Sequence, residues 1–333
     1  MPRTLSSSSH SNLDCFLKCT TPSIPLQSSS KSGIQGLNNL FLPINKKKIE
    51  YFTLRDLWDQ YDEWSAYGAG APVVLTSGET VVQYYVPYLS AIQIYTSKSF
   101  TRFSGVLREE CNVGELESDS WSEDSESSNL SRSPSNNSSR GSDTASEDSS
   151  FDQEGALAMK DQLGHLYFQY FENSSPYGRI PLMDKINELS RSYPGLMSFK
   201  SVDLSPASWM SVAWYPIYHI PSGKNVKDLS ACFLTYHTLS LSFQGYLPED
   251  KDKGICSTAD GQSERKCKGE SSSIPLPPFG LATYKMHGNL WINPETSDHD
   301  RIVSLLGAAN SWLKQLGVQH PDSNYFNLHS VVK

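Results

Sequence analysis

The stretch SWMSVAWYPIYHIPSGKNVKDLSACFLTYHTLSLSF, Ser208 to Phe243, has the strongest strand pattern in this chain. Its two halves are rich in aromatic and β-branched residues, which favour strands, and Pro221-Ser222-Gly223 between them has turn composition. The stretch therefore predicts two neighbouring central strands. Alternate side chains of the first strand face opposite sides of the sheet, with Trp209, Ala213, Tyr215 and Ile217 on one side and Met210, Val212, Trp214 and Tyr218 on the other.

The remaining apolar segments predict partners for this sheet. Residues 73–75 and 81–86 flank a turn and predict a hairpin, and Pro87 predicts a bulge or an edge position in the strand that follows. A capping box at Thr53 to Asp56 opens an amphipathic helix, Pro181 opens a second helix over 182–190, and a capping box at Ser297 to Asp300 opens a third. Consecutive strands without βαβ alternation predict an α+β fold with a mainly antiparallel sheet packed by a few helices.

Three low-hydrophobicity intervals interrupt this pattern. From their composition, we predict that residues 1–49 are a mostly disordered Ser-rich arm. We likewise predict that residues 115–154 and 245–274 are two disordered loops. Residues 50–320 then form a single domain that carries both loops as insertions, because the cost of closing a loop grows only slowly with its length. Residues 321–333 are expected to be a loose tail.

Charge and cysteine content exclude several classes of protein. The net charge is −8, but residues 115–154 hold eleven acids and only Arg132 and Arg140, so the rest of the chain is close to neutral. A neutral body without a basic patch predicts no binding to nucleic acid or membrane. The six cysteines, several of them in intervals predicted to be disordered and without a secretory signal before them, indicate reduced thiols in an intracellular protein.

The sequence contains no strong pattern of catalytic, phosphate-binding or metal-binding residues. Cys232 and His237 lie five residues apart on one predicted strand, so they face opposite sides of the sheet, and only His219 on the neighbouring strand is placed to meet one of them. Gly68-Ala69-Gly70 follows a helix, which favours a helix stop over a phosphate loop. No cysteine or histidine pair has metal-ligand spacing, so no catalytic residue, cofactor or metal is assigned.

Aromatic residues are dense on the predicted central strands. Core packing accounts for most of them, whereas a groove for an extended peptide or a small ligand is the functional alternative, because amphipathic rings suit partly wet surfaces. The candidate ligand or partner surface consists of Tyr85, Tyr88, Trp214, Tyr215, Tyr218 and His219.

The acidic interval has the features of a phosphorylated loop. Ser120, Thr144 and Ser149 each precede an acid by three residues, and Ser133 precedes Pro134. These four residues are the candidate phosphosites, and each phosphate adds a charge of about −1.5 to −2. An inert solvated insertion is the alternative.

Several longer segments resemble the land-plant family known as domain of unknown function 789. The resemblance is carried by EWSAYGAG and SWMSVAWYPIYHIP, with SNLDCFLKCTTPSIP near the start and LPPFGLATYKM near the end. It implies a plant protein and no particular activity. It also implies that residues 11–25 dock on the domain through Leu13, Phe16 and Leu17, although composition alone places them in disorder.

These observations leave the biochemical function unknown. We expect a monomeric, non-enzymatic protein-interaction domain with an unidentified protein partner and a phosphorylatable acidic loop, although the sequence does not decide whether the protein is an enzyme. A small-molecule-binding or enzymatic domain with a Tyr- and Trp-lined cleft is the alternative. We expect an intracellular location in the cytoplasm or the nucleus; Lys46 to Lys48 offers a minimal nuclear import signal, and organelle import is disfavoured.

Overall fold

A computed structural model describes residues 11–30, 48–96, 164–222, 227–241, 272–286, 289–293 and 296–330. The chain divides into two units, of which one comprises residues 1–99 and 156–333 and the other residues 100–155. All of the second unit, with the predicted loop 115–154 inside it, lies outside the described residues, and so does nearly all of the predicted loop 245–274.

The described helices and strands follow in this order along the chain. The helices are α1 (Asn12–Cys19), α2 (Leu54–Tyr67), α3 (Leu182–Ser190), α4 (Gly195–Ser198), α5 (Asp298–Leu316) and α6 (Pro321–His329). The strands are β1 (Ser23–Pro25), β2 (Gln27–Ser30), β3 (Lys48–Tyr51), β4 (Ala69–Val74), β5 (Thr80–Thr96), β6 (His165–Phe171), β7 (Trp209–Ile220), β8 (Cys232–Thr238), β9 (Ser273–Pro275) and β10 (Gly280–Tyr284).

A curled, six-stranded antiparallel sheet is the centre of the structure. Its strand order is β10-β8-β7-β5-β4, and β6 pairs with the far end of β5. The predicted central pair is confirmed as β7 and β8, which align Trp209 with Thr238 and Trp214 with Phe233. Two small ladders, β1 with β9 and β2 with β3, lie beside this sheet. The architecture is α+β, as the sequence predicts.

Strand β5 shows how the chain accommodates Pro87 inside a sheet. On one side β5 pairs with β7 along most of its length; on the other it pairs with β4 up to Tyr85 and with β6 only from Ala91 onward. Pro87 lies in the interval between those two partners, where its missing N–H costs no ladder hydrogen bond. Register shifts at Tyr84/Tyr85 and Leu89/Ala91 bend the strand on either side of it, as predicted.

Helices cover both faces of the sheet, and the alternation predicted for β7 separates two buried clusters. Met210, Val212 and Trp214 belong to the larger cluster, which α1, α2 and α3 complete. Trp209 and Ala213 belong to the smaller cluster, together with residues of α5 and α6. Helix α5 approaches the sheet closely at Gly280, where an added Cβ would lie only 2.8 Å from the Cβ of Ala309.

Of the two predicted capping boxes, the structure contains the one at Thr53 and not the one at Ser297. At the start of α2, Thr53 accepts from the amide of Asp56 and the Asp56 carboxylate accepts from the amide of Thr53, so this box is confirmed. At the start of α5, Ser297 makes no side-chain cap. Asp298 instead accepts hydrogen bonds from Ser11 and Thr296, because tertiary contacts recruit its carboxylate.

The N-terminal arm differs from the disorder that its composition predicts. Residues 12–19 form α1, which Ser11 caps, and Leu13, Phe16 and Leu17 are buried in the larger cluster. Residues 27–30 form β2. Composition is misleading here because the Ser-rich sequence around this short segment masks the helical spacing of Leu13, Phe16 and Leu17, which are buried against the sheet.

The predicted loose tail also requires correction. Residues 321–329 form α6, whose Phe326 is fully buried and whose Asp322 makes a bidentate pair with Arg179. A nine-residue helix with few apolar residues is marginal alone. Contacts with elements distant in sequence stabilise it, and local periodicity does not reveal such contacts.

Candidate functional site

The structure separates the six aromatic and histidine residues that the sequence grouped as a surface. Tyr85 and Trp214 are fully buried in the larger cluster and therefore pack the core. Tyr88 and Tyr215 are partly exposed on the opposite face of the sheet. Tyr218 and His219 lie at the end of β7, where Tyr218 is 45% exposed. Only four of the six are therefore accessible, and they fall into two places.

The end of β7 extends beyond its neighbour β8. Strand β8 pairs with β7 only over Trp209 to Trp214, whereas β5 pairs with β7 as far as Ile220. From Tyr215 to Ile220, no strand among the described residues pairs with the second edge of β7. This edge resembles the exposed edge strands that accept an added strand from another protein.

Apolar side chains surround this free edge. Tyr84 and Tyr218 face each other across β5 and β7 with their rings stacked at 4.5 Å, and the Tyr218 hydroxyl donates to the carbonyl oxygen of Tyr67 at 3.1 Å. We call the following five residues the ribbon patch: Tyr67, Tyr84, Ile217, Tyr218 and Ile220. Four of them, all except Tyr84, are between 45% and 69% exposed.

Local sequence builds the ribbon patch. Ile217 is the extra residue where the pairing of β7 with β5 shifts register, so the bulge turns this side chain outward. Gly68 ends α2 at a φ of 85° and lies beside the patch; an added Cβ would be 3.2 Å from Ile217 Cδ1 and 3.3 Å from Tyr84 Cβ. A residue with a side chain would be strained here, because L-residues rarely adopt this φ.

The three segments that form the patch contain no charged side chain. Residues 67–75, 80–88 and 209–220 include no Asp, Glu, Lys or Arg, although 19% of the whole chain consists of these residues. Natural sheets commonly place lysine or another charge on an open edge to prevent association. This edge carries no such charge. An uncharged partner segment is therefore favoured.

Tyr88 and Tyr215 form the second accessible group. Their rings meet edge to face at 5.8 Å, and the guanidinium carbon of Arg179 lies 5.9 Å from the centre of the Tyr215 ring. Burial raises the pKa of both phenols. They therefore remain protonated at neutral pH and act as hydrogen-bond donors, not as bases.

A serine and histidine pair that the sequence analysis did not single out lies below these rings. Ser211 Oγ is 2.8 Å from His320 Nε2, and both residues are buried. His320 Nδ1, however, accepts from the amide of Ser323 as the cap of α6, so Nε2 carries the proton. This tautomer donates to Ser211 and leaves no lone pair to take the serine proton, so the pair is a structural hydrogen bond.

Cys232 and His237 lie on opposite faces of β8, as predicted. Burial raises the pKa of the Cys232 thiol to about 12, so it is not a nucleophile at neutral pH. His237 donates from Nδ1 to the Leu276 carbonyl oxygen and accepts from Thr235 at Nε2, and Thr235 in turn accepts from the indole N–H of Trp214. All its polar atoms are used inside the core.

A groove of about 640 Å³ lies between α1 and α5, and none of the six candidate residues lines it. In the part of the chain that the structure describes, no helix is long and apolar enough to span a membrane, and no three His, Cys, Asp or Glu side chains are grouped to hold a metal ion. Ser120, Ser133, Thr144 and Ser149 lie outside the described residues.

Comparison with known proteins gives one match. A family model described as "Protein of unknown function (DUF789)" matches residues 11–326. Neither the curated proteins nor the solved structures contain a match to this chain.

Proposed function

Because the chain belongs to the DUF789 family of proteins of unknown function, no activity passes to it from relatives, and we propose that it is a protein-interaction domain. Its partner contributes an extended, uncharged segment that adds to the sheet along the free edge of β7. The observation that carries this proposal is the unpaired edge from Tyr215 to Ile220, next to the ribbon patch.

Main-chain geometry supports this mode of binding. Except at Pro216, which has no N–H, this edge presents backbone N–H and C=O groups, and an extended peptide satisfies them with the same spacing as a neighbouring strand. The ribbon patch beside the edge offers Tyr218 and two isoleucines to the side chains of that peptide. Tyrosine is enriched in protein interfaces, where its apolar ring and polar hydroxyl are both used.

The test is a selection of random twelve-residue peptides on the purified full chain. We expect uncharged peptides rich in β-branched and aromatic residues to be enriched. Replacing Ile220 by Lys places a charge at the edge and is expected to weaken binding of the selected peptides at least tenfold. N-methylation of alternate peptide amides is expected to abolish binding, because strand addition depends on main-chain hydrogen bonds.

A matched control separates the edge from general surface hydrophobicity. Val303 on α5 is 43% exposed and distant in sequence from the patch, so Val303→Lys makes the same chemical change elsewhere. This variant is expected to bind the selected peptides like the parent protein. Equal loss in both variants, or unchanged binding of the Ile220→Lys variant, would refute binding at the β7 edge.

Phosphorylation of residues 115–154 is a second part of the proposal. Phosphate groups on the four candidate residues would add about −6 to −8 to an interval that already carries −9. Such a field changes the rate at which the partner approaches when the partner carries net charge outside its uncharged binding segment. Partner recovery should therefore differ between the parent chain and a variant in which all four residues are Ala. Equal partner recovery by the two chains, after treatment with an acidophilic kinase and a proline-directed kinase, contradicts this regulatory role.

A Tyr- and Trp-lined ligand cleft, the alternative, has less support because Tyr85 and Trp214 are core residues. Intracellular residence and land-plant origin complete the proposal. The unpaired state of Cys15, Cys19 and Cys232 is consistent with a reducing compartment.

A further inference from the structure

The groove between α1 and α5 has an apolar floor. Leu17 of α1 and Leu305 of α5 face it from two sides, and Pro275, Pro277 and Pro278 form the third side. Its volume of about 640 Å³ lies within the range of small-ligand pockets, and most of its lining is apolar, as in such pockets. None of the five ribbon-patch residues lines the groove.

Hydrogen bonds between elements distant in sequence hold the walls of the groove in place. Ser11, which caps α1, donates to Asp298 at the start of α5. The β1 side is fixed to the proline side where the amide of Leu276 donates to the Pro22 carbonyl oxygen at 2.9 Å. Arg301 and Asp14 form an ion pair across the groove from α5 to α1. Because these contacts fix the walls before a ligand arrives, binding costs less conformational entropy.

The charges at the rim are unequal. Arg301 is paired with Asp14, and their side chains are 46% and 39% exposed. Lys18 is exposed, and no carboxylate among the described residues pairs with it. The charged side chains that line the groove, Asp14, Lys18 and Arg301, thus sum to one excess positive charge beside an apolar floor, which complements an anion attached to an apolar body.

We propose that this groove binds a small amphipathic carboxylate. The aliphatic part lies against Leu17, Leu305 and the prolines, and the carboxylate lies at the rim between Lys18 and Arg301. Burial of the aliphatic part supplies most of the affinity, since the transfer of each methylene group from water to the apolar floor is favourable. The ammonium of Lys18 selects the anion over a neutral analogue of the same length.

The experiment is calorimetric titration of the full chain with decanoate, with decanol as the neutral probe of the same chain length. We expect saturable binding of decanoate at one site and at least tenfold weaker binding of decanol. The Lys18→Glu variant reverses the charge and is expected to bind decanoate at least tenfold more weakly. The Leu305→Asp variant tests the floor and is expected to lose binding of both compounds.

Lys314→Glu is the matched control, because Lys314 is an exposed lysine of α5 that does not line the groove. It is expected to leave decanoate affinity unchanged. Three outcomes would overturn the proposal: no saturable decanoate binding, equal affinity for decanol and decanoate, or equal affinity in the Lys18→Glu and parent chains. The Ile220→Lys variant should bind decanoate normally, so failure of this site and failure of the β7 edge are distinguishable.

Discussion

The hydroxyl groups of Tyr61 and Tyr85 are buried without a hydrogen-bond partner among the described residues. Both rings belong to the larger cluster, and Tyr85 packs edge to face on Phe16 at 5.1 Å. Burial raises the pKa of both phenols, so neither ionises. A hydroxyl group buried without a partner destabilises the folded state, because it loses the hydrogen bonds that it makes with water in the unfolded chain. These two residues are therefore places where the core is not optimal for stability.

Replacing Tyr85 by Phe removes the unpaired hydroxyl and keeps the ring. We expect the free energy of unfolding to increase by about 1 kcal/mol, measured by urea denaturation. Tyr218→Phe is the comparison, because its hydroxyl is exposed and bonded to Tyr67; its effect should lie within about 0.5 kcal/mol. A clear loss of stability in Tyr85→Phe would show that its hydroxyl has a partner after all.

Among the contacts that hold helix α6 in place are a buried ion pair and a buried aromatic side chain. Arg179 and Asp322 pair through two hydrogen bonds of 2.7 Å each, with side chains 4% and 8% exposed. Phe326 packs against Tyr215 and Tyr284. A buried ion pair adds little net stability compared with apolar residues, but loss of one partner leaves an uncompensated charge.

The Arg179→Met variant therefore tests the attachment of α6. We expect it to lower the free energy of unfolding by about 3 kcal/mol, because Asp322 loses its cation while remaining buried. Adding Asp322→Leu should restore part of that loss. Lys185→Met, which removes the more exposed pair with Glu188, should cost about 0.5 kcal/mol or less. Similar losses in the Arg179 and Lys185 variants would contradict this account.

Helix α1 contributes to the core through one aromatic ring. Phe16 is fully buried and stacks on Phe233 with ring centres 3.9 Å apart. We expect Phe16→Ala to lower the free energy of unfolding by about 4 kcal/mol, in the range of large-to-small core substitutions. Lys18→Ala on the exposed side of α1 should change it by less than about 0.5 kcal/mol. A small effect of Phe16→Ala, by chemical denaturation, would mean that α1 is dispensable for the core.

At the scale of the whole molecule, two buried histidines make stability depend on pH. Burial lowers the pKa of His237 from 6.5 to about 4, although its hydrogen bond to Leu276 acts in the opposite direction. Burial likewise lowers the pKa of His320 to about 4, although the nearby Asp322 raises it. Between pH 6.5 and 4 the unfolded chain binds more protons than the folded one, so stability is complete above pH 6.5 and falls as the pH decreases.

We expect the free energy of unfolding to be lower at pH 5 than at pH 7 by about 2 kcal/mol for each histidine, because a shift of one pKa unit corresponds to 1.36 kcal/mol. Urea denaturation at pH 5, 6 and 7 measures this difference. His237→Gln should reduce it by about half, whereas His299→Gln, at a position with an exposed side chain, should leave it unchanged. A flat profile over this range would exclude neutral buried histidines.

Local sequence was sufficient for most elements. Period-two alternation predicted the two faces of β7 from Trp209 to Tyr215, although the bulge at Ile217 breaks the alternation beyond them. The Thr53 capping box predicted the start of α2, and Pro181 predicted α3. It was insufficient for α6, which has few apolar residues and depends on contacts with residues far away in the chain. Helix α1 was missed although Leu13, Phe16 and Leu17 have helical spacing behind Ser11, because the Ser-rich composition of the surrounding arm outweighed that short pattern. The candidate surface was predicted only in part, because aromatic composition does not distinguish the buried Trp214 from the exposed Tyr218 on the same strand.

The α+β class, the central strand pair and the absence of charge from the segments around it follow from local sequence, because they depend on residue type and spacing along a few neighbouring positions. Three other features are visible only in three dimensions: β7 extends beyond β8, α1 and α5 enclose a groove, and α6 is ordered. Each of these depends on where one element ends relative to a partner distant in sequence, and the local pattern of residues does not contain that relation.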